Sequence, residues 1–412
     1  MTNNHTFVIP TLNRPALLKR LVQYYHRHVS HVNLLVLDSS DVEIAKENAE
    51  TLSQFTPSLR HIIFEPTVSL SSKLSRGFDL VQTPYVSLCA DDDFVFPDGL
   101  HEALEHLDHH PDYVCAHGIY INFRQAGRDV HLRNEYSGPS NEAVHAGARI
   151  FRLCQKYESL YYAVFRTQDL RDIFVLLPKL DTLLFQELFQ SVAAVIKGKV
   201  KRFRSLYAAR QYGPPAEPQR ANWNTFQWFA ENPGEVLERY RAYRETICTF
   251  YEMSAPEPRL DKGALSRTLD LAHAVYFSSG SHPRNFYSAL QKYWPGDPYR
   301  MIGPLDLLRL ADKQMAFMRA VHPDGDPGAD MIEQLQTAAG ISRWVGAGIL
   351  AALRYTWLAT WWVAKAARLD FEIRRDCRTP WRCRLPFTAR WLAAAPKFRS
   401  SYLELCRYLD QS

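Results

Sequence analysis

Three carboxylates stand side by side at Asp91-Asp92-Asp93, directly after the apolar run Pro84–Ala90. Like charges this close repel, so the triplet is costly unless a cation or hydrogen-bond donors compensate it. A divalent metal ion with oxygen ligands is the natural cation. Asp91 and Asp93 have the D-x-D spacing. One such carboxylate can reach a sugar hydroxyl while the other reaches a metal ion bridging phosphates and neutralising a leaving diphosphate. The plainer alternative is a solvated acidic turn with a helix cap ahead of Pro97. The histidines carry less. His26, His28 and His31, and His101, His106, His109 and His110, lack any zinc-binding pattern and read as surface helix positions. His117 and His145 are candidates for a third metal ligand. Asp324, Asp326 and Asp330 lack calcium-loop spacing and read as an ordinary loop.

The elements that position the triplet alternate strand and helix. Thr6–Ile9, Asn33–Leu37, Arg60–Phe64 and Pro84–Ala90 read as strands. Helical spacing is expected over Arg14–Tyr25, with Pro15 in the first turn, over Val42–Leu52 and near Lys73–Leu80. Gly99–His109 reads as a helix, Tyr113–Phe123 and Tyr161–Phe165 as strands, Asp181–Ile196 as a long amphipathic helix, and Lys199–Arg204 as a basic strand opened by Gly198. The pattern predicts an α/β fold with a mainly parallel sheet, whose strand carboxyl ends are the usual ligand edge. Tyr212-Gly213-Pro214-Pro215-Ala216-Glu217-Pro218 marks a boundary. Beyond it helices are expected at 233–251, 262–277, 283–293, 304–321 and 330–339. The predicted domains are 1–213, a helical domain over 214–340, and a basic amphipathic helical region over 341–412.

Four segments in this order carry a resemblance. Phe7-Val8-Ile9-Pro10-Thr11-Leu12-Asn13-Arg14, Leu34-Leu35-Val36-Leu37-Asp38-Ser39-Ser40, Ser72-Lys73-Leu74-Ser75-Arg76-Gly77 and Tyr85-Val86-Ser87-Leu88-Cys89-Ala90-Asp91-Asp92-Asp93 resemble, in turn, four segments of the family-2 glycosyltransferases with the GT-A fold. These are the opening strand and turn, the second strand, the helix before the metal strand, and the D-x-D strand. The resemblance covers roughly residues 5–213. It implies a Rossmann-like GT-A sheet followed here by a mostly helical C-terminal domain. It also implies transfer of a sugar from a nucleotide-sugar donor to an acceptor hydroxyl, with inversion and with Mn²⁺ or Mg²⁺ as cofactor.

The donor pocket expected from this resemblance holds Pro10, Thr11, Asn13 and Arg14 in the first loop, Asp38 toward the base or ribose, Lys73 or Arg76 toward the diphosphate, Asp91 and Asp92 on the donor, and Asp93 with Asp91 on the metal. Asp38-Ser39-Ser40 replaces the family's usual two-acid end of strand two. For Lys73 and Arg76 the alternative is a solvated helix face; for Asp38 it is a helix N-cap before Val42. The family's catalytic base begins a helix that ends at a Gly before a strand. Glu187, eleven positions before Gly198, occupies that place, with Asp181 as the runner-up or as an N-cap. Among Lys199, Lys201, Arg202, Arg204 and Arg210, Arg210 is the candidate for the diphosphate, and a basic edge strand is the alternative for the rest.

Of 412 residues, 46% are hydrophobic and 23% charged, which excludes a disordered, collagen-like or small disulfide-scaffold chain. The net charge of +5 is unevenly spread. Residues 342–412 hold thirteen basic and five acidic residues, a net +8, leaving −3 for the remainder. Trp344–Ala364 has the length of a membrane span, but Arg343, Arg354, Lys365 and Arg368 share one narrow stripe of its helical wheel. That suits a helix lying in a membrane interface, or one packed in a domain with a wet edge. Residues 343–399 would attract anionic lipid, so a peripheral site on the inner face of the cytoplasmic membrane is expected. No nucleic-acid module accompanies the charge. Seven scattered cysteines and the absence of a basic and apolar leader predict reduced thiols and a cytoplasmic setting. The acceptor implied is a glycan or lipid-linked glycan in bacterial surface-polysaccharide assembly. A nucleotidyltransferase would need a Gly-rich phosphate loop after strand one, which Pro10–Pro15 does not offer. A non-catalytic sugar- or membrane-binding protein on the same scaffold is the other alternative.

Overall fold

The short apolar runs of the first ninety residues, rich in Val, Ile and Leu and bounded by turn residues, form strands. In the computed structural model these are β1 (His5–Thr11), β2 (Asn33–Asp38), β3 (Leu59–Ile63) and β4 (Tyr85–Leu88). The structure describes residues 4–29, 33–55, 59–126, 129–136, 138–155, 157–211, 233–255, 260–276 and 382–383. β1 lies between β2 and β4, and β2 pairs with β3, all in parallel. This 3-2-1-4 order is that of a nucleotide-binding half-sheet. The register sets Thr11 beside Asp38 and Val8 beside Leu88, so the loops after β1, β2 and β4 open on one edge.

Helices α1 (Pro15–His28), α2 (Val42–Leu52) and α3 (Leu70–Asp79) make the crossovers. Pro15 sits in the first turn of α1, where its missing N–H costs nothing. α3 begins one turn earlier than its leucine spacing suggests, because Ser69 caps it by accepting a hydrogen bond from the Ser72 amide. Gly77 lets α3 approach β2 closely: a Cβ there would stand 2.2 Å from the Leu37 side chain.

The chain continues through β5 (Phe94–Val95), α4 (Pro97–His109), β6 (Tyr113–Ala126), β7 (Asp129–Tyr136), α5 (Ala146–Gln155), β8 (Val164–Arg166), α6 (Thr167–Phe174), α7 (Leu183–Lys197) and β9 (Lys199–Gln211). β8 runs antiparallel between β4 and β6. β6 pairs antiparallel with β7 and parallel with β9, and β5 pairs antiparallel with the end of β9. A two-residue strand, β10 (Arg382–Cys383), pairs with β7 at the sheet edge. The α/β reading with a mainly parallel, GT-A-type sheet holds. One expectation is corrected. β9 reaches Gln211 instead of stopping at Arg204; β6 flanks it along its length, and β5 joins its end at Ala208 and Ala209. β5, β7, α5 and α6 had no counterpart in the sequence reading.

α7 is buried almost all round, from Leu184 to Ile196. Thr182, not Asp181, caps its start by accepting from the Phe185 amide. The other end is closed by Arg149 of α5. Its buried guanidinium donates to the carbonyls of Val195 and Ile196 at 2.6 and 3.0 Å, and to those of Ala143 and Val144 at 2.9 and 2.7 Å. A cation at a helix C-terminus meets both the orphan carbonyls and the negative end of the dipole. Two further helices, α8 (Pro233–Ser254) and α9 (Lys262–Val275), pack on α7 and α5. Phe185 stacks on Tyr243 at 5.2 Å, Phe189 meets Phe250 at 5.8 Å, and the buried Asp270 accepts from Tyr240 and Arg244. These side chains belong to the same hydrophobic core as the sheet. The boundary expected at 212–218, the helices expected at 283–293, 304–321 and 330–339, and the 344–364 helix lie outside the described residues. No helix among the described residues is long and apolar enough to cross a membrane.

The Arg149 contacts carry a stability consequence. Arg149→Met is expected to leave buried carbonyls without donors and to lower unfolding free energy by about 3 kcal/mol. A fall in the urea midpoint at unchanged slope is the measurement that checks it.

Candidate active site

The loop after β1 is held in one shape. Asn13 has φ 55°, a left-handed conformation that Asn tolerates better than most residues. Its amide donates to Ser40 Oγ at 2.8 Å, while its side chain exchanges hydrogen bonds with Asp41, at 3.1 and 2.9 Å. The loops after β1 and β2 are thereby laced together. Asn13 thus spends its side chain on a loop contact. Pro10 lies within β1, paired with Leu37, where its ring sets the chain's entry into this loop.

From that loop two side chains reach the acidic turn. Thr11 is buried, and its hydroxyl donates to Asp91 Oδ2 at 2.7 Å. Arg14 donates through Nη1 to Asp91 Oδ1 at 3.2 Å and to Asp92 Oδ2 at 3.0 Å. Asp91 and Asp93 are 3% and 4% exposed, so the solvated-turn alternative is overturned. The cap at the start of α4 is equally absent: Phe96 holds that position with no side-chain hydrogen bond.

Lys73 also departs from the solvated-face alternative. α3 presents it inward, where Nζ donates to the Thr11 carbonyl at 2.9 Å and to Ser39 Oγ at 2.7 Å. Burial pulls its ammonium down to about 8, against the pull of Asp38 and Asp91. Arg76 is the exposed member of the pair and stacks over Phe64 at 4.7 Å. Asp38 is fully buried. Both its oxygens are engaged, by the Ser40 amide, Asn48 Nδ2 and His61 Nε2 at 2.8 to 3.0 Å. Burial raises its proton affinity, but these hydrogen bonds win and hold the carboxyl below its usual range. Asp41 is the residue at the N-cap of α2.

The far wall of the site comes from the second half of the sheet. Tyr162 donates a short hydrogen bond to Asp93 Oδ2, and the Gln211 amide donates to Asp93 Oδ1 at 2.6 Å. Arg210 Nε lies 3.9 Å from Asp93 Oδ2, with Tyr136 and Tyr162 at 5.8 and 5.5 Å from the guanidinium carbon. Burial pushes Asp91 up to about 6 and Asp93 up to about 7; the neighbouring Asp92 adds to both, while Arg14 and Arg210 work the other way.

Glu187, on α7, faces the same arginine. Burial raises its carboxyl above the usual range, while Arg210 and a hydrogen bond from Ser159 oppose the rise. Tyr157, Tyr161 and Tyr276 stand close to it. The structure therefore brings Thr11, Arg14, Lys73, Asp91, Asp92, Asp93, Arg210 and Glu187 into one neighbourhood. Asp181 is exposed and pairs with Arg239 of α8. His117 is buried beside Arg202 and hydrogen-bonds to Gly118, so it is not drawn to the acidic turn. Sequence reasoning missed Arg20, Tyr136, Tyr162 and Gln211. No local signal marks them, because their partners lie 69 to 191 positions away along the chain.

Among the described residues no three or more His, Cys, Asp or Glu side chains are grouped to hold a metal ion. A hard cation such as Mg²⁺ commonly takes only one or two carboxylates and completes its shell with water and substrate phosphates. Asp91 and Asp93, buried on one turn, offer that donor set.

Residues 6–169 match the family model described as Glycosyl transferase family 2. Curated proteins include no match to the chain. Among solved structures the chain is similar to S. aureus TarS residues 1–349, at 12% identity over 77% of this chain and 81% of that one, with a TM-score of 0.43. The same TarS fragment in complex with UDP-GlcNAc gives 12% identity over 78% and 90%, with a TM-score of 0.45. The chain is also similar to a longer form of TarS, at 14% identity over 78% and 55%, with a TM-score of 0.41. The span matched to Glycosyl transferase family 2, residues 6–169, contains the acidic turn, Thr11, Arg14, Asp38 and Lys73 but neither Glu187 nor Arg210.

Proposed function

We propose that the protein transfers a sugar from a nucleotide-sugar donor to an acceptor hydroxyl, with inversion at the anomeric carbon. The observation that carries this reading is the shared arginine. Arg210 stands between Asp93, assigned to the donor, and Glu187, assigned to the acceptor. Asp91 and Asp93 are assigned as the carboxylates that hold a divalent cation, Mn²⁺ or Mg²⁺. Three carboxylates on the turn face two adjoining arginines, Arg14 and Arg210, and burial, with Asp92 adding to it, raises the proton affinities of Asp91 and Asp93. When bound, the cation supplies charge neutralisation at the leaving diphosphate.

The chain's own groups supply the rest. Lys73 fixes the β1 loop against the β2 loop, which shapes the floor under the nucleotide. Arg14, 43% exposed at its side chain, is assigned to exchange its hold on Asp92 for a phosphate. Glu187 takes the proton from the acceptor hydroxyl as its oxygen attacks the anomeric carbon. The bond to the diphosphate oxygen breaks as the new one forms. A partly desolvated carboxylate with raised proton affinity suits that task. The acceptor is assigned as a glycan or lipid-linked glycan. The basic 343–399 region is assigned to anionic lipid on the cytoplasmic face of a membrane, on its charge and tryptophan content alone.

Two experiments test this. Thermal unfolding in the presence of nucleoside diphosphates, with and without Mn²⁺, is expected to give a Mn²⁺-dependent rise in Tm for one base. Asp93→Asn is expected to abolish the Mn²⁺-dependent part, and a rise that survives in this variant refutes the cation assignment. Glu187→Gln is expected to lower kcat by about 10²–10⁴-fold while leaving the nucleotide-induced rise in Tm intact. In the wild type, kcat/KM rises with pH as Glu187 loses its proton. That limb is expected above the ordinary glutamate pKa, because burial raises it.

A further inference from the structure

Arg20 lies on α1 between the buried Leu18 and Leu21. Its guanidinium carbon sits 5.0 Å from the Phe94 ring centroid and 6.0 Å from that of Phe123. Nη2 donates to the main-chain oxygen of Asp92 at 3.0 Å and to Gln211 Oε1 at 2.7 Å. The Gln211 amide in turn donates to Asp93 Oδ1 at 2.6 Å. These contacts close a ring: Arg20, the Asp92 carbonyl, the Asp93 carboxylate, the Gln211 amide, the Gln211 side chain, and Arg20 again. We propose that Arg20 is a positioning residue for the transfer reaction, closing a hydrogen-bonded ring that fixes the Asp93 carboxylate between the acidic turn and the end of β9. The proposal rests on the reading that Asp93 serves the donor.

The ring joins α1, the acidic turn and the end of β9. β5 and β9 pair only through Phe94 with Ala209 and Val95 with Ala208, so on that side the ladder stops one residue short of Arg210. Arg210 and Gln211 stay paired with Asn122 and Phe123 of β6, and the contacts to Asp93 and from Arg20 tie this last stretch of β9 to the acidic turn. Arg20 is not required to pack β5 on α1, because Tyr24 meets Phe94 at 5.0 Å and the Val95 amide donates to the Tyr25 hydroxyl at 3.3 Å. The Asp92 carbonyl and Gln211 Oε1, which accept from Arg20, flank Asp93. Nη2 serves both acceptors while the guanidinium lies over the Phe94 and Phe123 rings, which hold its plane. A lysine ammonium, a compact and strongly hydrated point charge, has donors but no plane for the rings to hold. Arg210 precedes Gln211, so the ring also sets where that arginine stands against Asp93 and Glu187.

The test uses Arg20→Lys, Gln211→Ala and the double variant of the full chain. Gln211→Ala keeps the main-chain amide and removes only the side-chain link, so it perturbs folding least. Activity is read as nucleoside diphosphate released from a nucleotide-sugar with Mn²⁺ and acceptor. Amide hydrogen exchange at Gln211 is read separately, in the protein without metal or nucleotide. Each single variant is expected to lower kcat about tenfold with donor KM within about twofold, and the double variant to lose no more than either single one, since the ring opens only once. Exchange at Gln211 is expected to accelerate at least about tenfold in all three. Unchanged exchange, or kcat losses that multiply to about a hundredfold in the double variant, overturns the ring in an active enzyme. A wild type that transfers no sugar while Gln211 exchange still accelerates in the variants overturns the transferase reading instead, and the catalytic role with it.

Discussion

The arrangement turns on the burial of like charges. Asp91 and Asp93 are withdrawn from water on one turn with Asp92 between them. Such a turn persists only where other elements supply donors. Here they come from Thr11 and Arg14 on one side, and from Tyr162, Arg210 and the Gln211 amide on the other. The compensation is incomplete. Folded-state proton affinities near 6 and 7 lie above the unfolded value near 4. Between those limits the folded chain binds more protons than the unfolded one, so these two groups cost stability as pH rises from about 4 toward about 7.

The same donors explain why the sheet is built as it is. Parallel strands bring the loops after β1, β2 and β4 to one edge, which places Thr11, Asp38 and the acidic turn together. β9, running parallel to β6, delivers Arg210 and Gln211 to that edge from more than a hundred residues away. α7 then brings Glu187 toward Arg210, held from below by the guanidinium of Arg149. Asp93 and Glu187 therefore share one cation, Arg210, and a shift of β9 moves both environments together.

Much of this was legible in the residue order. The first four strands and their helices declare themselves through local periodicity, and the acidic turn through its position after an apolar strand. What was hidden has physical reasons. Lys73 looks like a surface lysine until Gly77 lets α3 close on β2 and carries it inward. β9 seems to end at Arg204 because its later part, Ser205–Ala209, is buried beside β6 and has lost the alternation that marks a half-exposed strand. α5 is only ten residues long and contains a buried arginine, which masks its apolar face. Tyr162 and Gln211 are ordinary residues whose roles come entirely from partners distant in sequence.

The packing of α8 and α9 on α5 and α7 reaches further than it first looks. Tyr240, Tyr243, Phe250 and Leu269 complete a core that the 6–169 segment opens but does not close. In any excision or graft, these two helices belong with the 6–169 segment as part of one packed body. A graft that carried the family segment alone would present a raw aromatic face to water.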